Sequence, residues 1–586
     1  METSSLLPLA AVLVPVATAA VIVLTRRSPA VRDASLVVGA VVTFAVVAAT
    51  GRMVLAGEVP TTVLGELIPG VEVTLAADGM GMVFAALASF LWVLAGSYAI
   101  GYMRGDNASN QTRFYAFYSL CLSTAFGVAF AGDLLTFFIA YELLTVTTYP
   151  LVTHKGDAKA LAAGRTYLGY LLSGGALVLL AMVIVYASTG TLTFVAGGFV
   201  AGTMGTTLTI VVFLLFAIGF GTKAGLLGLH PWLPGAMVAP TPVSALLHAV
   251  AVVKGGVFAF GRFLGFVMGP AAFAGLDVQQ LLSLAAAVTI VVASIIALRQ
   301  DHLKRRLAYS TIAHLAYIVL GFSLLSTSGF EGSLLHILNH GVAKITLFFA
   351  AGAIHIAAHK DHVSELDGIG RRMPFTMLAF ALASFSLAGL PPAGGFLSKF
   401  TLVTGALEAE QFLLAGVMVG SGLFTAGYLF PIVYRAFFRP EPGEAPAPVG
   451  TAPGVPTLSP AAPTEPAAPT ASAAPTAQTG ATAVLTAPGD DPSGGHAAAN
   501  GPDHADTDLT DPAGHVNDDG HHAHDGHHDG HHDGHDAHAD HGEAAATMVV
   551  PIVITGVLSV LLGLGDWTGL YALAAEVATA VIGGAP

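Results

Sequence analysis

At 586 residues the chain is 54% hydrophobic, only 10% charged, and has a mean hydropathy of +0.72. A soluble domain carries about 25% charged residues, so this composition excludes an ordinary soluble protein and reads as one bundle of apolar membrane-spanning helices. The net charge of −14 is local: residues 440–547 hold 17 of the 37 Asp and Glu and no Lys or Arg, which leaves the rest of the chain net positive.

Residues 6–25 are apolar and preceded only by METSS. A signal peptide has its basic segment before the apolar run. Here Arg26, Arg27 and Arg32 follow it, so we expect a retained first helix with the N-terminus outside. A second span is expected at 34–56. Residues 57–77 are too polar and Gly/Pro-punctuated for a helix and read as a short β-hairpin on the outer face. Further spans are expected at 79–101, 112–131, 133–152, 162–187, 206–229, 241–261, 279–298, 306–326, 332–357, 373–406, 411–438 and 547–565, about fourteen in all. Residues 567–583 are apolar but contain Glu576, and fit either a surface helix or an extension of the last span. Cys121, the single cysteine, excludes a disulfide framework within the chain and any Cys-ligated cluster.

Basic residues mark the cytoplasmic side of a membrane protein. With the N-terminus outside, seventeen Lys and Arg fall in or beside cytoplasmic loops, and only Arg52 and Arg262 lie outside. Four of the 23 basic residues remain: Lys223, Lys254, Lys344 and Lys399, all within predicted spans. A charged side chain in hydrocarbon costs several kcal/mol, so such residues usually face an interior or a water path.

Lys223 and Lys254 bracket a stretch with His230, His248, Pro231, Pro234, Pro240 and Pro242. Broken backbone is tolerated at membrane depth only where protein or a polar cavity satisfies it. We therefore expect span seven to be broken. Pro391, Pro392, Gly394 and Gly395 predict a second break in span twelve, just before Lys399. Paired broken helices point to inverted repeats with an ion site near the midplane. Spans four to eight and nine to thirteen are the natural halves. The expected organisation is residues 1–111 as helices one to three with the hairpin, 112–261 and 279–438 as the five-helix repeats, 440–546 as an insert, and 547–586 as a C-terminal helix.

Glu142 lies inside span five, with Lys223 as its natural partner. A lysine caught between burial and a nearby carboxylate can gain or lose a proton as that carboxylate approaches or withdraws. A structural helix–helix tie is the plainer reading, but it leaves the other buried amines without a role. His336, His340 and Lys344 are spaced i, i+4, i+8, which puts them along one helix face about 6 Å apart per step. That suits a proton relay; zinc ligation would want the acidic residue of an HExxH motif. His248 and Lys254 are six apart and face different neighbours unless the helix is distorted between them. On its own, His248 also reads as a satisfied core histidine.

The insert opens in Pro/Ala/Thr low complexity and ends in a His/Asp tract, with 13 histidines from His496 to His541. His521, His522, His524, His527, His528, His531, His532 and His535 are its densest candidate ligands for a nonspecific divalent metal. A solvated linker with incidental metal affinity is the plain alternative, and a metal store or pH-responsive element the other.

At this point the motifs resemble a known family. ADGMGMVF at 77–84, Glu142 in YELL, GTKAG, HPWLPGAMVAPTPVSALLHAVAVVK, KRRLAYSTIAHLAY, HILNHGVAKITLFFAAG and GLPPAGGFLSKF are similar to the antiporter-like subunits shared by respiratory complex I, Mrp-type cation/proton antiporters and membrane-bound hydrogenases. The resemblance covers residues 75–438, in order. It implies a fourteen-helix core and a proton path. Glu142 and Lys223 are then the interacting pair, Lys254 the central link, His336, His340 and Lys344 the relay, and Lys399 the terminal lysine. Lys399, where one complex I member has Glu, fits the Mrp D subunit and some complex I subunits, and an Mrp D-like member is favoured; the His-rich insert departs from the usual pattern. The expected partners are other membrane subunits, protons, Na+ as the candidate exchanged cation, and the lipid bilayer of the cell membrane. Nothing suggests nucleic acid. No motif for NADH, flavin, haem or iron–sulfur is present, so no cofactor is expected and redox chemistry would belong to partner subunits.

Overall fold

The computed structural model describes residues 2–441, except 69 and 275, and residues 542–583. The eight candidate metal-ligating histidines of the insert lie outside the described residues. The first half holds α1 Leu7–Leu24, α2 Pro29–Leu55, α3 Gly79–Gly105, α4 Gln111–Ala129, α5 Leu134–Val152, α6 Ala158–Thr189, α7 Thr206–Ala224, the short α8 Trp232–Gly235, α9 Thr241–Ala249 and α10 Val252–Arg262. Then come α11 Val278–Arg299, α12 Leu303–Ser323, α13 Thr327–Ala358, the short α14 Ile369–Arg372, α15 Pro374–Ala388, α16 Gly394–Glu408, α17 Phe412–Phe438, α18 Ala546–Leu561 and α19 Leu570–Ala578. Every predicted span carries a helix. Among the described residues, ten helical segments are long and apolar enough to cross a membrane.

The expected hairpin is present as β2 Val59–Ile68 antiparallel to β3 Val71–Ala76. Residues Glu2–Ser4 add a parallel strand, β1, beside β2, which the local sequence did not signal. The apolar 570–578 segment packs on α3 and α13 as α19, rather than prolonging α18.

Polar residues set where the helices begin. Asp78, Asp133, Asp157 and Ser326 accept backbone N–H groups at the starts of α3, α5, α6 and α13. Each satisfies a donor that the first helical turn leaves free. Asp78 also receives Arg262 from the end of α10, an ion pair that ties the hairpin face together. On the opposite face, buried Asp33 receives Arg32 at 2.8 Å and Arg104 at 2.5 Å.

In span seven the helix stops at Ala224, with Gly225 at φ +74, and the short α8 follows; a further distortion, not expected, lies inside span eight. There Val250 (φ −127, ψ −51) and Ala251 (φ −99, ψ −91) leave helical geometry between α9 and α10. The prolines restart helices rather than interrupt one: Pro240 and Pro242 sit at the start of α9, where no backbone N–H is needed. The break in span twelve falls as expected, between Ala388 and Gly394.

Burial separates centre from periphery. Only a third of the α1 and α2 windows is buried, but all of the window across α9 and α10 is. α13 is enclosed from Gly332 to Ile354 and, at 32 residues, runs about 48 Å through the bundle. A helix that is apolar all round belongs in such a core. Every titratable group on it between those residues must find its partners inside the protein.

Candidate functional site

On the first half, α5 and α7 bring Glu142 and Lys223 together. Lys223 Nζ lies 3.9 Å from Glu142 Oε1 and donates to Tyr141 O at 2.5 Å. The amine also sits over the Tyr141 ring, 3.2 Å from its centroid, a favourable place for a cation. Lys223 is buried, whereas a fifth of the Glu142 side chain is exposed. Gly175 on α6 makes room for the carboxylate: a Cβ there would overlap it. Gly256 plays the same part behind the lysine, where α10 meets the α7 backbone at Lys223 and Ala224.

Lys254, on α10, reaches α13. Its Nζ lies 2.9 Å from His340 Nδ1. The His340 ring is 5.5 Å from that of His314 on α12 and 6.0 Å from that of His336. His314 Nδ1 is 3.1 Å from His336 Nε2, and one of the two must carry the hydrogen. His336 Nδ1 is 2.9 Å from Ser398 Oγ on α16. The next residue is Lys399, whose Nζ donates to Ala388 O at 3.4 Å and lies 5.1 Å from the Tyr317 ring centroid. Ala388 ends α15, so the broken helix presents a carbonyl and the negative end of its dipole to that lysine. The other side of the break is held by Asn339 Nδ2, which donates to Gly394 O at 2.7 Å.

Four predicted residues therefore gather in one row: Lys254, His340, His336 and, across the Tyr317 ring, Lys399. Glu142 and Lys223 form a separate pair. No hydrogen bond joins Lys223 to Lys254 among the described residues. Lys344 leaves the row and donates to Leu307 O at 3.1 Å and Ser310 Oγ at 2.7 Å on α12. His248 stands apart: both ring nitrogens lack a hydrogen-bond partner, and the ring leans on Phe348. The Val250–Ala251 distortion lies between it and Lys254.

Sequence reasoning did not assign His314, Ser398, Ser310 or Tyr141. His314 had a signal, a histidine in an otherwise apolar span inside a family motif. Ser398 and Tyr141 directly precede Lys399 and Glu142, but only the fold shows that the Ser398 hydroxyl meets His336 and that the Tyr141 carbonyl accepts from Lys223. Among the described residues, no cluster of three or more His, Cys, Asp or Glu is arranged to hold a metal.

A polytopic helical membrane protein with an internal row of amines and imidazoles is the class this geometry defines. The family follows from comparison. The model of the transmembrane family NADH:quinone oxidoreductase/Mrp antiporter matches residues 131–425, and the chain belongs to that family. It is 35% identical over 394 residues to NADH-quinone oxidoreductase subunit N of Desulforudis audaxviator (strain MP104C), covering 65% of this chain and 76% of that one. It is 27% identical over 369 residues to the putative antiporter subunit mnhD2 of Staphylococcus aureus (strain MRSA252), covering 63% and 73%. Its fold matches a chain in the structure of the Mrp complex from Dietzia sp. DQ12-45-1b with a TM-score of 0.74 at 21% identity, over 98% of this chain and 97% of that one.

Proposed function

We propose that the chain is the proton-translocating subunit of a multi-subunit monovalent cation/proton antiporter, with Na+ as the exchanged cation. The observation that carries this reading is the enclosed row of Lys254, His340, His314 and His336, with Lys399 beside it across the Tyr317 ring. Imidazoles and hydroxyls both donate and accept, so adjacent members can hand on a proton. Movement of the Glu142 carboxylate toward or away from Lys223 changes that lysine's hold on its proton. The proton then passes through water to Lys254 and along the row to Lys399. Lys344 and His248 act beside this path, Lys344 through Ser310. The two five-helix halves are read as inverted repeats, the first holding the pair and Lys254 and the second holding His336, His340, Lys344 and Lys399.

The match to a chain of an Mrp complex over nearly its whole length, and the mnhD2 relative, support the antiporter reading. The similarity to the NADH-quinone oxidoreductase relative supports a second one, a pumping subunit of a redox complex whose cofactors lie in its partners. The bias of basic residues supports a cell-membrane protein with its N-terminus outside. For the His/Asp tract, a metal-handling role is tested by deleting 496–541, which on our reading leaves proton transport intact.

The decisive assay is Na+-driven proton movement in everted vesicles carrying the assembled complex. Glu142→Ala and Lys223→Ala should each abolish coupled exchange while the protein stays in the membrane. Normal exchange in either variant would overturn the mechanism.

A further inference from the structure

A groove of about 490 Å3 opens toward the hairpin face between α2, α3, α13, α18 and α19. Its walls are apolar, with Phe44, Val47, Met82, Phe90, Leu338 and Leu558 among them. Its few polar side chains are already engaged: Ser89 Oγ donates to Ala86 O at 3.2 Å, and Tyr571 Oη to Leu562 O at 2.8 Å. Arg52, at the rim, is different. It is exposed, and its guanidinium has no hydrogen bond or ion pair among the described residues. The other basic residue on this face, Arg262, is paired with Asp78.

The α2 surface around the groove carries exposed Val38, Val41, Val42 and Phe44, the character of a wall that faces lipid. An apolar slot in such a wall, topped by one free guanidinium, has the two-part chemistry of a phospholipid. The slot takes a hydrocarbon chain, and the planar fork of arginine matches a phosphate. A neighbouring helix is a poorer fit. At 10–12 Å across, about one turn of it would fill this volume.

We propose that the groove binds one acyl chain of an anionic phospholipid, with the phosphate on Arg52. The site lies across α13 from the titratable row. Leu338 and Val342 line it from the helix that carries His336 and His340, and Tyr571 Oη lies 3.1 Å from Asn339 Oδ1, the side chain that holds Gly394 O at the span-twelve break. The proposal does not depend on which ion the protein moves.

Trp567 is the exposed tryptophan beside the groove, and Trp92 and Trp232 are buried, so lipid quenching reports on this region. The full chain is placed in phosphatidylcholine nanodiscs containing brominated phosphatidylglycerol or brominated phosphatidylcholine at equal mole fraction. The expected result is at least a threefold preference for phosphatidylglycerol. Arg52→Gln should bring it to parity, and Ala48→Phe, at an exposed position in the groove wall, should reduce quenching by both lipids. Equal quenching in the wild type, or an unchanged preference in Arg52→Gln, overturns the proposal. So does photo-crosslinking from p-benzoylphenylalanine at position 48 in native membranes, if it captures a polypeptide instead of lipid.

Discussion

The pair on α5 and α7 and the row on α10, α12, α13 and α16 keep amines inside the membrane by opposite means. At the pair, Lys223 has a carboxylate 3.9 Å away, a carbonyl and an aromatic face, and its acidic partner is partly exposed. In the row, Lys254 and Lys399 have only an imidazole, a carbonyl and a ring face. No salt bridge reaches either lysine among the described residues. Removing one member of a buried ion pair costs about 3–5 kcal/mol, because the other is left uncompensated. A row without counter-charges cannot hold several protonated groups at once, since like charges a few ångströms apart repel strongly in a poorly polarisable interior. The contrast fits the mechanism proposed above, in which the pair stores and switches a charge and the row passes one along.

The largest expected effect comes from cutting the row at its entrance. Lys254→Leu should reduce coupled proton flux in vesicles by at least a hundredfold with normal membrane content, because Lys254 is the α10 side chain bonded to His340. Flux within a factor of two of wild type would show that protons bypass Lys254. Next is His314, the residue sequence reading passed over. His314→Leu should cut flux at least tenfold. His314→Gln, which keeps a donor and an acceptor but cannot carry a proton through a ring, should fall nearly as far. Equal, full activity in both would reduce His314 to packing.

At the pair, Gly175→Ala asks whether the position of the carboxylate matters apart from its charge. The new methyl would overlap the Glu142 carboxylate and displace it from Lys223. We expect a roughly tenfold loss of exchange with both charges still present. Wild-type exchange would mean that the Glu142–Lys223 distance is not part of the switch.

Much of this was legible because hydrocarbon is an unforgiving solvent. Four lysines had no loop to occupy, so their inclusion in the interior followed from counting, and Pro391–Gly395 announced the break beside Lys399. The distortion at Val250–Ala251 was not legible. The local sequence, HAVAVVK, has neither Pro nor Gly, and the helix opens where α9 and α10 meet other helices. The i, i+4, i+8 pattern put Lys344 on the face of His336 and His340. A long flexible side chain can still turn to another helix, and Leu307 O and Ser310 drew it to α12. The parallel pairing of Glu2–Ser4 with Val59–Thr61 joins segments too far apart for a local pattern to reveal.

The smallest expected effect is a control for the comparison, at an acid–base pair that water can reach. His355 Nδ1 lies 3.1 Å from both carboxylate oxygens of Asp361, in the loop after α13. That hydrogen bond, helped by the nearby charges of His355, Lys304 and His302, holds Asp361 below the usual carboxylate range despite partial burial. A carboxylate with a depressed folded-state value contributes stability that is complete above its unfolded value, near 3.9, and is lost as pH falls through the folded one. More than a third of the Asp361 side chain is exposed, so solvent screens the pair and its worth should be at most about 0.5 kcal/mol. Asp361→Asn should therefore lower the melting temperature by no more than a degree or two at pH 7, leave exchange within a factor of two, and make no difference to stability once the pH is below the folded-state value of Asp361. A tenfold loss of exchange would mean that the pair gates the basic face, and that the division of labour does not stop at the membrane interior.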